Sequence, residues 1–105
     1  MPHPLLTQDQ IDTYQRDGVV LVKGLFADHV ETLQAGVARN MAQPGPYASN
    51  NDKAGETGRF FDDYCNWQRI PEFEQVIRDS AAAQVGAELM QSETAQLFHD
   101  HVLVK

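Results

Sequence analysis

The chain has 105 residues, a net charge of −7 and 42% hydrophobic residues. A chain of this length forms one small domain, which we expect to span residues 1–105. The negative charge argues against a general binder of nucleic acids or anionic membranes. We read no signal peptide and no membrane span in the sequence. Cys65 is the single cysteine and cannot form an internal disulfide, so we expect a cytoplasmic protein.

The first predicted element is a helix from residue 6 to residue 18. Thr7 and Gln10 have the spacing of a capping box. Gly18 is placed to end the helix in a left-handed conformation. We expect the apolar side chains of Ile11 and Tyr14 to face the core.

A short strand and a second helix are predicted next. VVLV, residues 19–22, lies between two glycines, and an apolar β-branched run of this length predicts a buried strand. In the helix that follows, Asp28 and Glu31 have capping-box spacing. An apolar stripe predicts the core-facing side of this helix, formed by Val30, Leu33, Val37 and Met41.

Residues 43–58 form the longest predicted loop, because this stretch is rich in Gly, Pro, Asn and Ser. A loop of this length is either a substrate-side loop or a solvated connection, and the sequence favours neither. RFFDDYCNW, residues 59–67, is dense in aromatic residues and predicts a strand or an extended segment packed on the core.

Two more helices are predicted between this segment and the end of the chain. Pro71 fits the first position of the earlier helix, and Ser80 can cap the later one. The side chains that we expect to face inward are Phe73, Val76, Ile77, Val85 and Leu89.

The last predicted element is a strand from Thr94 to Lys105. Because side chains alternate along a strand, the two faces consist of Leu97, His99, His101, Leu103 and Lys105 on one side and Phe98, Asp100, Val102 and Val104 on the other. Only VVLV and RFFDD are available as partner strands, and so small a sheet is marginal alone. Composition and spacing therefore predict an α+β chain, with a helical layer and the start of an incomplete sheet.

Two histidines on one face of the last strand are the strongest candidate for a metal site. His99 and His101 could bind a metal through neutral imidazoles. A third ligand is needed, and Asp100 points to the opposite face. We therefore favour the interpretation that these histidines line a cavity or bond to neighbouring groups.

Other reactive side chains point to structure rather than catalysis. Cys65 carries no signature of a nucleophile and is interpreted as a buried packing residue. Asp62 and Asp63 point in opposite directions on a strand and make a poor acid/base pair. Their arrangement predicts one solvated carboxylate and one that is hydrogen-bonded to backbone or to a basic neighbour.

Three stretches together resemble proteins of the phytanoyl-CoA dioxygenase family: LTQDQIDTYQRDGVVLVKGLF, RFFDDYCNWQRIPEFEQVI and LFHDHVLVK. The resemblance implies a double-stranded β-helix, or jelly roll, with helices packed outside. It also implies chemistry that uses iron(II) and 2-oxoglutarate. The family holds its iron with an H-x-D…H triad, and no H-x-D occurs in this sequence. No metal ligand is therefore carried over, and the catalytic residues stay unknown.

In the family the H-x-D follows a strand like LFHDHVLVK, so the resemblance implies that this chain is the N-terminal portion of such an oxygenase and inactive by itself. Iron(II), 2-oxoglutarate and a small organic substrate would then belong to a full-length parent, and this chain alone would carry no cofactor. The resemblance also implies that His101 and Lys105, four residues apart, face the cosubstrate. Arg59 is a third candidate, from its place in the middle stretch.

Two alternatives stay open beside the oxygenase. The chain could be a non-catalytic domain that associates with itself through unpaired strands, and a homo-oligomer is expected on that ground. The other alternative is a cupin-like protein that binds a metal through His99 and His101.

Overall fold

The computed structural model describes residues 4–50 and 60–105. Within these ranges the chain forms four helices and three strands, which confirms the α+β class. The helices are α1 (Gln8–Asp17), α2 (Val30–Ala42), α3 (Pro71–Asp79) and α4 (Ala82–Met90). The strands are β1 (Ser49–Asn50), β2 (Phe61–Tyr64) and β3 (His101–Val104).

The three strands make one antiparallel sheet in the order β1-β2-β3. In its register Phe61 lies opposite Val104, and Tyr64 lies opposite His101. Phe61 and Asp63 are buried on the side of the helices, whereas Tyr64 and His101 are exposed on the other side. The sheet therefore has a helix side and an open side. A jelly roll requires a second sheet, and that part of the fold stays a prediction.

The core lies between the helices and the helix side of β2. Its buried apolar residues are Leu6, Phe61, Ile70, Phe73, Val76 and Val85. Helices α2 and α3 approach closely at Gly36, where an added Cβ atom would lie 2.6 Å from the Phe73 ring. A side chain at Gly36 would therefore push the two helices apart.

Helix α1 has the predicted caps and lies against α4. The Thr7 hydroxyl accepts a hydrogen bond from Gln10 N, Thr7 N donates one to the side-chain oxygen of Gln10, and Gly18 is left-handed at φ +77°. Ile11 and Tyr14 are half-buried. The Gln15 side chain also donates to the carbonyl of Leu89 in α4. The predicted first helix is thus confirmed, with ends within two residues of those expected.

The strand predicted at VVLV is wrong. None of residues 19–22 joins the sheet, and Val19 and Leu21 are 68% and 74% exposed. Val20 and Val22 instead line an apolar depression together with Val85 of α4. Exposure alternates along residues 19–22, but within the described residues no strand lies beside this segment to complete a ladder.

The second capping box is also wrong. A 3₁₀ turn occupies Ala27–His29, and α2 begins at Val30 with no side-chain cap. Val30 is exposed, because it starts the helix rather than lying within it. Leu33, Val37 and Met41 are half-buried, so only these three members of the predicted stripe face the protein interior.

The later elements match the prediction in type and differ in extent. Pro71 is the first residue of α3, as expected. The Ser80 hydroxyl accepts a bond from Ala82 N, although the helix cap itself is Ala81. The last strand covers only four residues of the predicted twelve, because residues 94–100 form no ladder. Ser49 and Asn50, in the predicted loop, pair with β2; residues 51–58 of that loop lie outside the described residues.

Truncating a side chain in the core should destabilise the fold far more than truncating one in the VVLV segment. Ile70 is fully buried, so Ile70→Ala should lower the free energy of unfolding by about 2–5 kcal/mol through lost apolar contact and the cavity left behind. Leu21→Ala, at an exposed site, should change it by less than about 0.5 kcal/mol. Urea unfolding followed by circular dichroism measures both variants, and a large loss for Leu21→Ala would contradict the exposed position of VVLV.

Candidate functional site

Tyr64 lies at the centre of an aromatic and imidazole cluster on the open side of the sheet. The Tyr47 ring stacks on it with centroids 4.8 Å apart. The His101 and His99 rings contact it at 5.5 Å and 6.2 Å. Antiparallel pairing places Tyr64 directly opposite His101, so the register of β2 and β3 produces this cluster.

The two cosubstrate candidates of the last strand share this open side. His101 Nε2 is 3.8 Å from a carboxylate oxygen of Asp62. The Lys105 ammonium lies 5.2 Å from the centre of the Phe60 ring, within the range of a cation–π contact. Both side chains therefore point where the alternation predicts. The third candidate, Arg59, lies outside the described residues.

His99 and His101 lie near each other but form only a two-histidine pair. Their ring centroids are 6.3 Å apart. Within residues 4–50 and 60–105, no group of three His, Cys, Asp or Glu side chains is placed to hold a metal ion. The carboxylate beside His101 belongs to Asp62, on the neighbouring strand.

Asp63 is the fully buried carboxylate of the pair at residues 62 and 63. One oxygen accepts bonds of 2.8 Å from the Asn40 side chain and from Gly45 N. The other accepts a bond of 2.9 Å from Tyr64 N. The Arg69 guanidinium lies 3.8 Å away. Asp63 is therefore the hydrogen-bonded carboxylate of the prediction, whereas the Asp62 side chain is only 20% exposed and lies beside His101 rather than being fully solvated.

The contacts of Asp63 decide its charge. Burial acts to raise the pKa of this carboxyl, but the hydrogen bonds from Gly45, Asn66, Asn40 and Tyr64 outweigh burial and hold the pKa below its ordinary value. The carboxyl is therefore ionised at neutral pH. Gly45 is required at this place, because an added Cβ atom would collide with the side-chain oxygen of Asn66.

Asp100 has a structural role that no local sequence pattern indicates. Its carboxylate accepts bonds from Asn66 N and Trp67 N, both at 2.9 Å, and its carbonyl accepts a bond from Cys65 N. Asp100 thus holds the turn after β2 against the start of β3. Only the pairing of these two strands brings residues more than thirty positions apart together, so no local signal marked it.

Cys65 is exposed, so its interpretation as a buried packing residue is wrong. Its backbone has φ +63°, a left-handed conformation that few non-glycine residues adopt. The conformation turns the chain sharply out of β2, and the bond from Cys65 N to Asp100 holds that turn. This geometry explains why the side chain points away from the core.

An apolar groove lies between the helices and β3. Its volume is about 380 Å³, and its walls come from α2, α3 and the residues around Val102. The lining side chains include Leu33, Val37, Phe73, Val76 and Ile77. The groove shows that the helix side of β3 is less completely filled than that of β2, where Phe61 is fully buried.

The comparisons with known proteins found no family model, no curated protein and no solved structure that matches this chain. No helix among the described residues is both long enough and apolar enough to cross a membrane.

The buried carboxylate predicts a specific loss of stability in acid. Because the pKa of Asp63 is lower in the folded chain than its unfolded value of about 3.9, its stabilisation is complete above that value and is lost as the pH falls through the folded pKa. Asp63→Asn should remove this part of the acid dependence. It should also cost about 1.5–3 kcal/mol at neutral pH, since charged hydrogen bonds are lost.

Asp62→Asn is the matched control, because it makes the same chemical change one residue away on the open side. We expect it to change the free energy of unfolding by less than about 1 kcal/mol. Thermal or urea unfolding of both variants between neutral pH and pH about 2.5 makes the comparison. Equal losses for the two variants would contradict the assigned role of Asp63.

Proposed function

We propose that this chain supplies the helical layer and the first strands of an iron(II)/2-oxoglutarate-dependent oxygenase that hydroxylates a small organic substrate. One observation carries the proposal: an ammonium and an imidazole lie four residues apart on the open side of a sheet whose other side faces helices. The chain's own contribution is to bind the cosubstrate. A cytoplasmic location belongs to the same proposal.

Lys105 is the better of the two cosubstrate candidates. 2-Oxoglutarate is a dianion at neutral pH, and an ammonium makes strong charge-assisted bonds to a carboxylate. The Lys105 side chain is exposed and lies over the Phe60 ring. His101 lies beside the Asp62 carboxylate, which repels an incoming anion. His101 is therefore suited to orient a neighbouring group rather than to hold the charge.

The described residues do not fit an iron(II) centre, because they hold no group of three metal ligands. No step of the reaction is therefore derived through iron for this chain. The proposal assigns this chain the anion-binding wall and assigns the iron ligands to the rest of the protein. Reading the gene beyond codon 105 tests this directly: a downstream H-x-D supports the proposal, and a stop codon there overturns it.

The role of Lys105 predicts a change in 2-oxoglutarate affinity. In the product of the complete reading frame, Lys105→Ala should weaken 2-oxoglutarate binding about tenfold or more, since a lost charge-assisted bond is worth roughly 1.5–3 kcal/mol. Isothermal titration of 2-oxoglutarate into the purified protein measures the change.

Lys23→Ala is the control, because Lys23 is also an exposed lysine and lies in the turn after VVLV, remote in sequence from the strand. It should leave the affinity unchanged. Asp100 is unsuitable as a control, because its carboxylate holds the turn at Asn66. An unaltered affinity in Lys105→Ala would rule out its role toward the cosubstrate.

The two-histidine pair predicts weak metal binding by the 105-residue chain. Two imidazoles leave the coordination of a divalent metal unfinished, so titration with manganese(II) or cobalt(II) should show no stoichiometric site. Calorimetry on the purified chain makes the measurement. A site of micromolar affinity or better that is lost in His101→Ala would instead favour the cupin-like alternative.

A further inference from the structure

The free edge of β3 offers a row of backbone hydrogen-bonding groups in known directions. Cys65 N donates to the carbonyl of Asp100, and Tyr64 lies opposite His101. In an antiparallel ladder the bonded pairs alternate, so Val102 and Val104 turn their backbone groups toward β2. His101 and Leu103 must turn theirs away from β2. No strand among the described residues lies on that side of β3.

The groups around this edge determine which kind of segment can pair with it. Outward N–H and C=O groups at alternate residues accept an extended strand rather than a helix. On the helix side, the groove lined by Phe73, Val76 and Ile77 requires apolar side chains at alternate positions of that strand. On the open side, polar side chains are tolerated because that side faces solvent. The incoming strand must therefore carry apolar side chains toward the helix side, whereas its open side can carry polar or apolar side chains.

We propose that the edge of β3 pairs with β3 of a second copy of this chain, antiparallel and across a two-fold axis at Val102. β3 meets this requirement: Val102 and Val104 face the helix side, and His101 and the exposed Leu103 face the open side. The axis lies perpendicular to the sheet, so both copies contribute the same strand to the interface and the assembly stops at a dimer. This inference concerns the 105-residue chain and uses no part of the oxygenase proposal, in which a later strand of the parent would compete for the same edge.

The charges along this edge do not oppose a second copy. The chain as a whole has a net charge of −7, which makes two copies repel. The segment from residue 97 to residue 105 is different, because Lys105 balances Asp100. In the proposed register His101 lies opposite Leu103 of the second copy, and Asp100 lies opposite Val104 of the second copy. No two like charges therefore meet at neutral pH.

The direction of each backbone group makes a sharp test available. Proline at residue 103 removes only an N–H that points to the free edge, so Leu103→Pro should spare the ladder with β2. Proline at residue 102 removes an N–H that bonds to β2, so Val102→Pro should destabilise the sheet. Leu103→Ala keeps the outward N–H and is the control for loss of the Leu103 side chain.

Light scattering over tens to hundreds of micromolar chain should show a mass near twice 11.8 kDa for the unaltered protein. Leu103→Ala should keep the doubled mass. Leu103→Pro should give a monomer whose circular dichroism stays that of the folded chain. A monomeric unaltered chain, a dimeric Leu103→Pro variant or a monomeric Leu103→Ala variant would each overturn the pairing.

Amide hydrogen exchange is a second test of the pairing, and it needs no variant. Val102 and Val104 amides bond to β2 and should be protected at every concentration. His101 and Leu103 amides should gain protection only as the concentration rises and copies pair. Protection at His101 and Leu103 that does not change with concentration would overturn the proposal, even if Leu103→Pro failed to fold.

Discussion

The buried carboxylate of Asp63 is the interaction on which the rest of this structure depends. It joins the end of α2 through Asn40, the following loop through Gly45 N and the end of β2 through Tyr64 N. The loop that contains Gly45 has no helix or strand of its own to hold it. Hydrogen bonds from several donors to one carboxylate are strong in the protein interior, where water is excluded. Leaving that carboxylate without partners there costs much free energy.

Fixing Asp63 on the helix side also fixes every other side chain of the sheet. A strand has a period of two, so Phe61 must share the helix side, and Asp62 and Tyr64 must take the open side. The register with β3 then brings His101 to Tyr64. Both the open-side cluster and the outward edge of β3 follow from this one choice of face. Asp100 reinforces it by bonding the turn after β2 to the start of β3.

The sheet thereby presents two surfaces with different chemistry. The open side offers Lys105, imidazoles and aromatic rings, where we propose that the cosubstrate binds. The free edge of β3 offers backbone groups above an apolar groove, which suit another strand. The first depends on side chains and the second on backbone direction. Substitutions can therefore alter one surface and leave the other intact, which separates the two proposals experimentally.

The sequence by itself determined the local elements whose signals act within a few residues. Thr7, Gln10 and Gly18 bound α1, Pro71 begins α3, and alternation alone assigned the faces of β3, because caps and periodicity need no distant partner. Only the tertiary structure decided which runs became strands. VVLV has the composition of a strand but lies beside no other strand in the described residues. The carboxylates of Asp63 and Asp100 accept hydrogen bonds from segments far away in the sequence, and only folding brings those segments together.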